Sequence, residues 1–209
     1  MNRLEFFDTW SRSHGAARVT GIVRAWLTLS YFITKPLIAL RISPNFLTLL
    51  SVAVGVQFVF AISSNWAILL LVVSLLLDGI DGTVAIIRNR ATRFGAFLDA
   101  VADRIVEACW AYGFYLMGAP WQLVAIAWLA AFLQEYMRAR ATGLGIDNVV
   151  IVTPAERPVR ASLLFIALVA RAIGFDLLFF IALAWAALQS FSALRLLAAL
   201  RSQLQQSPR

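Results

Sequence analysis

Residues 75–104 read LLLDGIDGTVAIIRNRATRFGAFLDAVADR: an apolar run ending on two aspartates, a short basic connection, and a second run opening on two more. Asp78 and Asp81 are spaced i, i+3, and Asp99 and Asp103 are spaced i, i+4, so each pair shares one face of a helix turning about 100° per residue. The connection 89–93 is short enough to make the two helices antiparallel neighbours, which lets the pairs converge. An ionised side chain near the middle of a membrane helix costs at least about 2.5–3.5 kcal/mol and so marks a pathway or a site. Arg88, Arg90 and Arg93 sit only at the mouth of this stretch, and Arg104 lies beside Asp103, so ion pairing alone leaves four carboxylates poorly balanced. Such a cluster repels itself unless cations neutralise it or some members are protonated. All-oxygen ligands with no His or Cys among them point to Mg²⁺ or Mn²⁺, with two ions as one arrangement. Gly79, Gly82, Ala85 and Gly95 lie in the same stretch, and small side chains let a ligand or a second helix approach the backbone.

Outward from this window the chain stays apolar. Of 209 residues, 61% are hydrophobic and 14% charged, and the mean hydropathy is +0.81. An ordinary soluble globule is excluded, because too little polar surface remains to cover the apolar remainder in water. The net charge of +7 comes from 18 Lys and Arg against 11 Asp and Glu. The bases lie between apolar runs, where anionic headgroups and the positive-inside bias account for them, so nucleic acid is not an expected partner. Cys109 is the single cysteine, which excludes disulfides within the chain and cysteine metal sites. His14 is the single histidine, near the N-terminus, so catalysis cannot rest on a histidine pair.

The patterning predicts an all-α membrane protein: a six-transmembrane-helix bundle preceded by a juxtamembrane amphipathic helix. The first 15 residues carry Glu5 and Asp8 among Arg3 and Arg12 and lack the apolar core of a cleavable leader. Residues 16–41 are interrupted by Arg18, Arg24 and Lys35-Pro36, which suits a helix lying among headgroups. Six runs near the required length of about 20 residues follow, at 45–63, 66–87, 94–117, 120–141, 159–173 and 177–200. Three divisions result: an interfacial segment 1–43, a six-helix domain 44–200, and a polar tail 201–209. Residues 142–158 form the longest stretch between spans, and their Gly and Pro make it a loop. The connections at 63–65 and 118–119 are uncharged, whereas bases gather at Arg88, Arg90 and Arg93, at Arg138, Arg140, Arg157 and Arg160, and at Arg195, Arg201 and Arg209. That asymmetry places both termini and the carboxylate site on the cytoplasmic side of a cell or inner membrane.

The pattern Asp78-x-x-Asp81-Gly82-x-x-Ala85, then Gly95-x-x-x-Asp99-x-x-x-Asp103, resembles the signature of the CDP-alcohol phosphatidyltransferase family, D-x-x-D-G-x-x-A-R-x8-G-x3-D-x3-D. Ser43-Pro44-Asn45-Phe46-Leu47-Thr48 ahead of the first span is similar to the family as well. One position departs: Ile86 stands where the family has Arg, with Arg88 and Arg90 close enough in sequence to substitute. The resemblance implies a dimeric membrane enzyme that binds CDP-diacylglycerol, directs an acceptor hydroxyl at the lipid-side phosphate and releases CMP. It implies that Asp78, Asp81, Asp99 and Asp103 hold the divalent ions, and that Asp103 is the catalytic base. It further implies that Asn45, Thr48, Asp78, Gly82 and Ala85 bind the nucleotide.

For the acceptor, the stretch 135–145 (EYMRARATGLG) followed by Ala155-Glu156-Arg157-Pro158-x-Arg160 resembles the subgroup that uses inositol phosphate. Guanidinium groups grip phosphate in a bidentate manner, so Arg138, Arg140, Arg157 and Arg160 are candidates for the acceptor's phosphate. The positive-inside bias alone is the competing account of the same arginines. Glu107 extends the Gly95, Asp99, Asp103 stripe and is read as pairing with Arg104, and Glu135 as pairing with a neighbouring base. Glycerol phosphate or phosphatidylglycerol as acceptor is the nearest alternative. A nucleotide-lipid-binding protein without turnover, suggested by Ile86, is a second. A transporter is a third, although its usual repeated halves are missing from a chain whose acids cluster on one side.

Overall fold

A computed structural model describes residues 1–13, 18–146 and 152–206. Among these residues the regular elements are all α-helices: α1 (Arg3–Ser13), α2 (Gly21–Ala39), α3 (Pro44–Phe60), α4 (Trp66–Ile87), α5 (Arg93–Leu116), α6 (Trp121–Gly143), α7 (Arg157–Ala172) and α8 (Leu178–Gln206). Each of the six apolar runs becomes one helix, and α4 matches its expected limits at both ends. Two helices, Trp66–Ile87 and Leu178–Gln205, are long and apolar enough to cross a membrane. Val23–Ala39 and Pro44–Phe60 meet that test only as a pair, bent by 109°. The others fall short for physical reasons. Helix α7 has 16 residues, and α5 carries Asp99, Asp103, Arg104 and Glu107 along its length.

The N-terminal region differs from the single helix expected over residues 16–41. Helix α2 begins only at Gly21, and α1 is a separate element. Asn2 accepts the Glu5 amide at 2.9 Å while the Glu5 carboxylate takes the Asn2 amide at 3.0 Å, a reciprocal cap that fixes where α1 starts. Its Phe6 and Phe7 are buried against Leu27, with Trp10, Trp26 and Tyr31 around them. His14, Arg209 and residues 147–151 of the expected loop lie outside the described residues.

The breaks that shape the site have local causes. At the end of α2, Arg41 turns left-handed (φ 57°), and the Ile42 amide reaches back to the Leu37 carbonyl at 3.0 Å. Ser43 then caps α3 by accepting the Phe46 amide at 3.2 Å, with Pro44 in the first helical position, where its missing N–H costs nothing. Helix α4 closes the same way: Asn89 is left-handed (φ 51°), the Arg90 amide donates to the Ala85 carbonyl at 2.8 Å, and the Asn89 amide donates to the Ile86 carbonyl at 3.0 Å. Thr92 starts α5 by accepting the Gly95 amide at 2.9 Å. These two caps reverse the chain between the aspartate pairs within the segment 88–92.

The chain divides into two compact units. One comprises Met1–Gln57 and Val72–Val106, the other Phe58–Leu71 and Glu107–Arg209. In the first, Leu47, Ile80 and Val84 form a buried centre. In the second, α6 lies along α8, with Ala141, Leu196 and Leu200 buried where they meet.

Candidate active site

The antiparallel reversal does what the spacing predicts. Carboxylate oxygens of Asp78, Asp99 and Asp103 lie within 4.8 Å of one another, all three half-buried. Arg104 contributes one guanidinium nitrogen 3.7 Å from Asp103. Three ionised carboxylates at this spacing repel by about 3 kcal/mol or more per pair at an effective dielectric of about 20. A hard divalent cation answers that imbalance with the ligand atoms present.

Asp81, expected with the other three, has its own partners. It is 5% exposed, the Thr48 hydroxyl donates to its Oδ2, and the Gly82 amide donates to Oδ1 at 2.5 Å. Spacing i, i+3 places Asp78 and Asp81 on one helix face but leaves the side-chain torsions open, and Thr48 on α3 settles Asp81.

Beside Asp81 and Asp99 lies a cavity of about 240 Å³. Asn45, Thr48, Gly82 and Ala85, the residues expected at the nucleotide, all line it, and Asp78 does not. A Cβ on Gly82 would meet nothing within 4 Å, so the missing side chain leaves open volume there. A Cβ on Gly79, one turn earlier, would overlap the Trp26 ring, so that glycine serves the approach of α2 to α4. Ile86 and Arg90 both line the cavity, so an arginine stands beside the residue that replaces the family arginine. Arg88 is used differently: its Nη1 donates to the Ile42 carbonyl at 2.8 Å and ties the end of α4 to the α2–α3 corner. Ser13 at the end of α1 also lines the cavity, a contribution the sequence reading did not anticipate.

The other unit holds the four candidate acceptor arginines. Arg160 is 2% exposed, with Nη2 at 2.9 Å from Glu107 and 3.4 Å from Glu135. Its Nε and Nη1 are buried and take no hydrogen bond among the described residues. Arg157 lies 3.9 Å from Glu107 and stacks over the Trp110 ring at 5.5 Å. Arg138 is bidentate to Glu156, at 2.9 and 2.5 Å, and Arg140 is exposed. Glu107 is a buried counter-ion of Arg160, and Glu135 pairs with Arg138 and Arg160 as expected.

Burial pushes the Glu156 carboxyl up, but the hydrogen bonds from Arg138 and from the hydroxyl and amide of Thr153 outweigh it and hold it at about 2, below the usual 4.5. A depressed carboxyl stabilises the fold above its unfolded pKa and loses that contribution as the pH falls to the folded one. Glu156→Gln is therefore expected to flatten the loss of thermal stability between about pH 4.5 and pH 2. Melting curves across that range check it, and above pH 5 the slopes of variant and parent should agree.

The profile of the CDP-alcohol phosphatidyltransferase family matches residues 41–193. The chain belongs to this family. The match begins at the α2–α3 corner and covers both the carboxylate group and the arginine region. Archaetidylinositol phosphate synthase of Pyrococcus horikoshii is 29% identical over 157 residues, which is 73% of this chain and 83% of that one. Phosphatidylinositol phosphate synthase of Corynebacterium glutamicum is 35% identical over 143 residues, 61% of this chain and 63% of that one. The fold is shared with the crystal structure of Mycobacterium tuberculosis phosphatidylinositol phosphate synthase with CDP-DAG bound, at a TM-score of 0.72 and 20% identity, covering 83% of this chain and 94% of that one. As a member of the CDP-alcohol phosphatidyltransferases with apolar helices of membrane-crossing length, the chain is a helical membrane transferase.

Proposed function

We propose that this chain transfers a phosphatidyl group from CDP-diacylglycerol to the hydroxyl of a phosphorylated polyol, with inositol phosphate as acceptor, and releases CMP. The observation that carries this reading is the meeting of Asp78, Asp99 and Asp103 within 4.8 Å in a unit whose cavity is lined by Asn45, Thr48, Gly82 and Ala85. The names of the two relatives, both synthases of inositol phosphate lipids, support the acceptor.

Asp78, Asp99 and Asp103, with Asp81 on the cavity wall, would hold one or two Mg²⁺ or Mn²⁺ ions. Such an ion supplies neutralisation of the diphosphate and of the charge gathering on the departing CMP. Asp103 accepts the proton of the acceptor hydroxyl as its oxygen bonds to the lipid-side phosphorus. The bond from that phosphorus to the bridging oxygen breaks, and CMP leaves with the electron pair. Asn45, Thr48, Gly82 and Ala85 take the nucleotide end, and Arg90 supplies the cation that Ile86 lacks. Arg157 and Arg160 supply the guanidinium groups for the acceptor's phosphate, while Arg138 and Arg140 add positive field.

The same reading takes α3 to α8 as six spanning helices in a domain of residues 44–200. Residues 1–43 are then an interfacial segment with α2 amphipathic, and 201–209 a polar tail. Both termini and the site face the cytoplasm, and the enzyme works as a homodimer. The overlap of all six helices with the six apolar runs supports the count, since the charges that disqualify α5 and α6 by apolarity belong to the site.

The test is phosphatidyl transfer from CDP-diacylglycerol to inositol phosphate, glycerol phosphate, phosphatidylglycerol and serine, compared side by side. Preference for inositol phosphate is expected, and a clear preference for another alcohol would reassign the acceptor. Two variants refine it. Gly82→Leu fills open cavity, so it is expected to raise the KM for CDP-diacylglycerol tenfold or more and leave the melting temperature within a degree or two. Arg157→Ala removes a charge-assisted contact worth about 1.5–3 kcal/mol, so it is expected to raise the acceptor KM about 10- to 150-fold with the CDP-lipid KM nearly unchanged. Unchanged acceptor KM in the arginine variants would favour an uncharged or lipid alcohol.

A further inference from the structure

Gln134 in α6 and Gln189 and Ser192 in α8 are fully buried, and Thr153, just before α7, is 4% exposed. None has a part in the chemistry above. A glutamine inside an apolar helix brings two amide donors and a carbonyl acceptor that only the protein can satisfy. Here they bond in series, with the Gln189 carbonyl left without a hydrogen-bond partner among the described residues. Gln189 Nε2 donates to Gln134 Oε1 at 3.0 Å, and Gln134 Nε2 donates to the Thr153 hydroxyl at 3.1 Å. The Thr153 hydroxyl donates in turn to Glu156 Oε1 at 2.7 Å. Glu156 also accepts the Thr153 amide at 2.8 Å and both Nη groups of Arg138, and Ser192 Oγ accepts the Ala155 amide at 3.0 Å.

The series has a direction. Gln189 consumes the Gln134 carbonyl, which turns the Gln134 amide toward Thr153, and that leaves the hydroxyl's proton for Glu156. Its Gln134–Gln189 bond joins α6 to α8, which also meet through Ala141, Leu196 and Leu200. Its other end holds the segment 153–156, and Arg157 and Arg160 follow in the first turn of α7.

We propose that Gln134 and Gln189 are positioning residues that hold segment 153–156 through Thr153, and so set the first turn of α7 for the acceptor's phosphate, with Arg138 acting through Glu156 rather than on the ligand. This deepens the acceptor reading and rests on it.

The test uses the full chain in detergent or lipid, with two readouts. Gln134→Leu is expected to speed hydrogen exchange at the Thr153 and Ala155 amides at least tenfold, with α4 and α5 unchanged. It is also expected to raise the acceptor KM fivefold or more, with the CDP-diacylglycerol KM within twofold and kcat largely kept. Thr153→Val breaks the same series from the segment side and should do the same, which covers the case that Gln134→Leu fails to fold. The double variant should be no worse than the poorer single. Unchanged exchange at Thr153 and Ala155, a fall in kcat with both KM values unmoved, or additive effects in the double variant would overturn the proposal. If the parent protein uses no phosphorylated polyol, the acceptor reading fails, and the exchange measurement alone decides the positioning role.

Discussion

Asp99→Asn is expected to lower phosphatidyl transfer by about 10³-fold or more while the protein folds as well as the parent, or better. Both directions come from one geometry. Asp99 contributes an oxygen to the group that closes within 4.8 Å with Asp78 and Asp103, so without a cation its charge is a source of repulsion. Replacing it with the neutral amide relieves that repulsion and raises thermal stability in chelator. The same change removes a hard anionic ligand and weakens the neutralisation of the diphosphate, worth several kcal/mol in such reactions, or three powers of ten at about 4 kcal/mol. Initial rates with added Mn²⁺ and melting temperatures with and without chelator measure both. Full activity in the variant, or a stability loss that accounts for the lost rate, would reject this role for Asp99.

The second large effect separates two tasks within the same group. Asp103 is assigned the proton of the acceptor hydroxyl, and a positioned base contributes about 10²–10⁴-fold. Asp103→Asn should therefore lower kcat by that factor, with CDP-diacylglycerol binding within a few-fold of the parent, the pattern of a group that acts chiefly in the transition state. Equal losses of binding and turnover would assign Asp103 to retention of metal or nucleotide. Arg104, 3.7 Å away, loses an anionic neighbour in this variant, so melting temperatures are measured beside the kinetics.

Much of this centre was legible in the residues alone. The two aspartate pairs, each at helical spacing and separated by a five-residue polar break, predicted antiparallel helices with convergent carboxylates, and the limits of α4 came out as expected. The reversal was readable because Asn89 and Thr92 are residues that end and begin helices. Asp81 was less legible, since helical spacing gives a face and not a rotamer, and its partner Thr48 lies 33 residues away. Helix α1 was missed although Asn2-x-x-Glu5 followed by Phe6-Phe7 is a capping signal ahead of an apolar pair. Gln134 and Gln189 could have been flagged as amides within apolar spans, but no local pattern joins residues 55 apart. That Glu107 meets Arg160 was illegible for the same reason, since the two lie 53 residues apart.

The most direct test of the carboxylate centre as the seat of phosphatidyl transfer is the initial rate of CMP release from CDP-diacylglycerol and inositol phosphate, using the full chain in detergent or lipid. The rate is recorded with Mn²⁺, after chelation, and after the metal is restored. CMP release is expected to be matched by new lipid phosphate ester, abolished by chelator and recovered with Mn²⁺ or Mg²⁺. Undiminished release in chelator by folded protein, or no release with any of the alcohols under any metal, would contradict it.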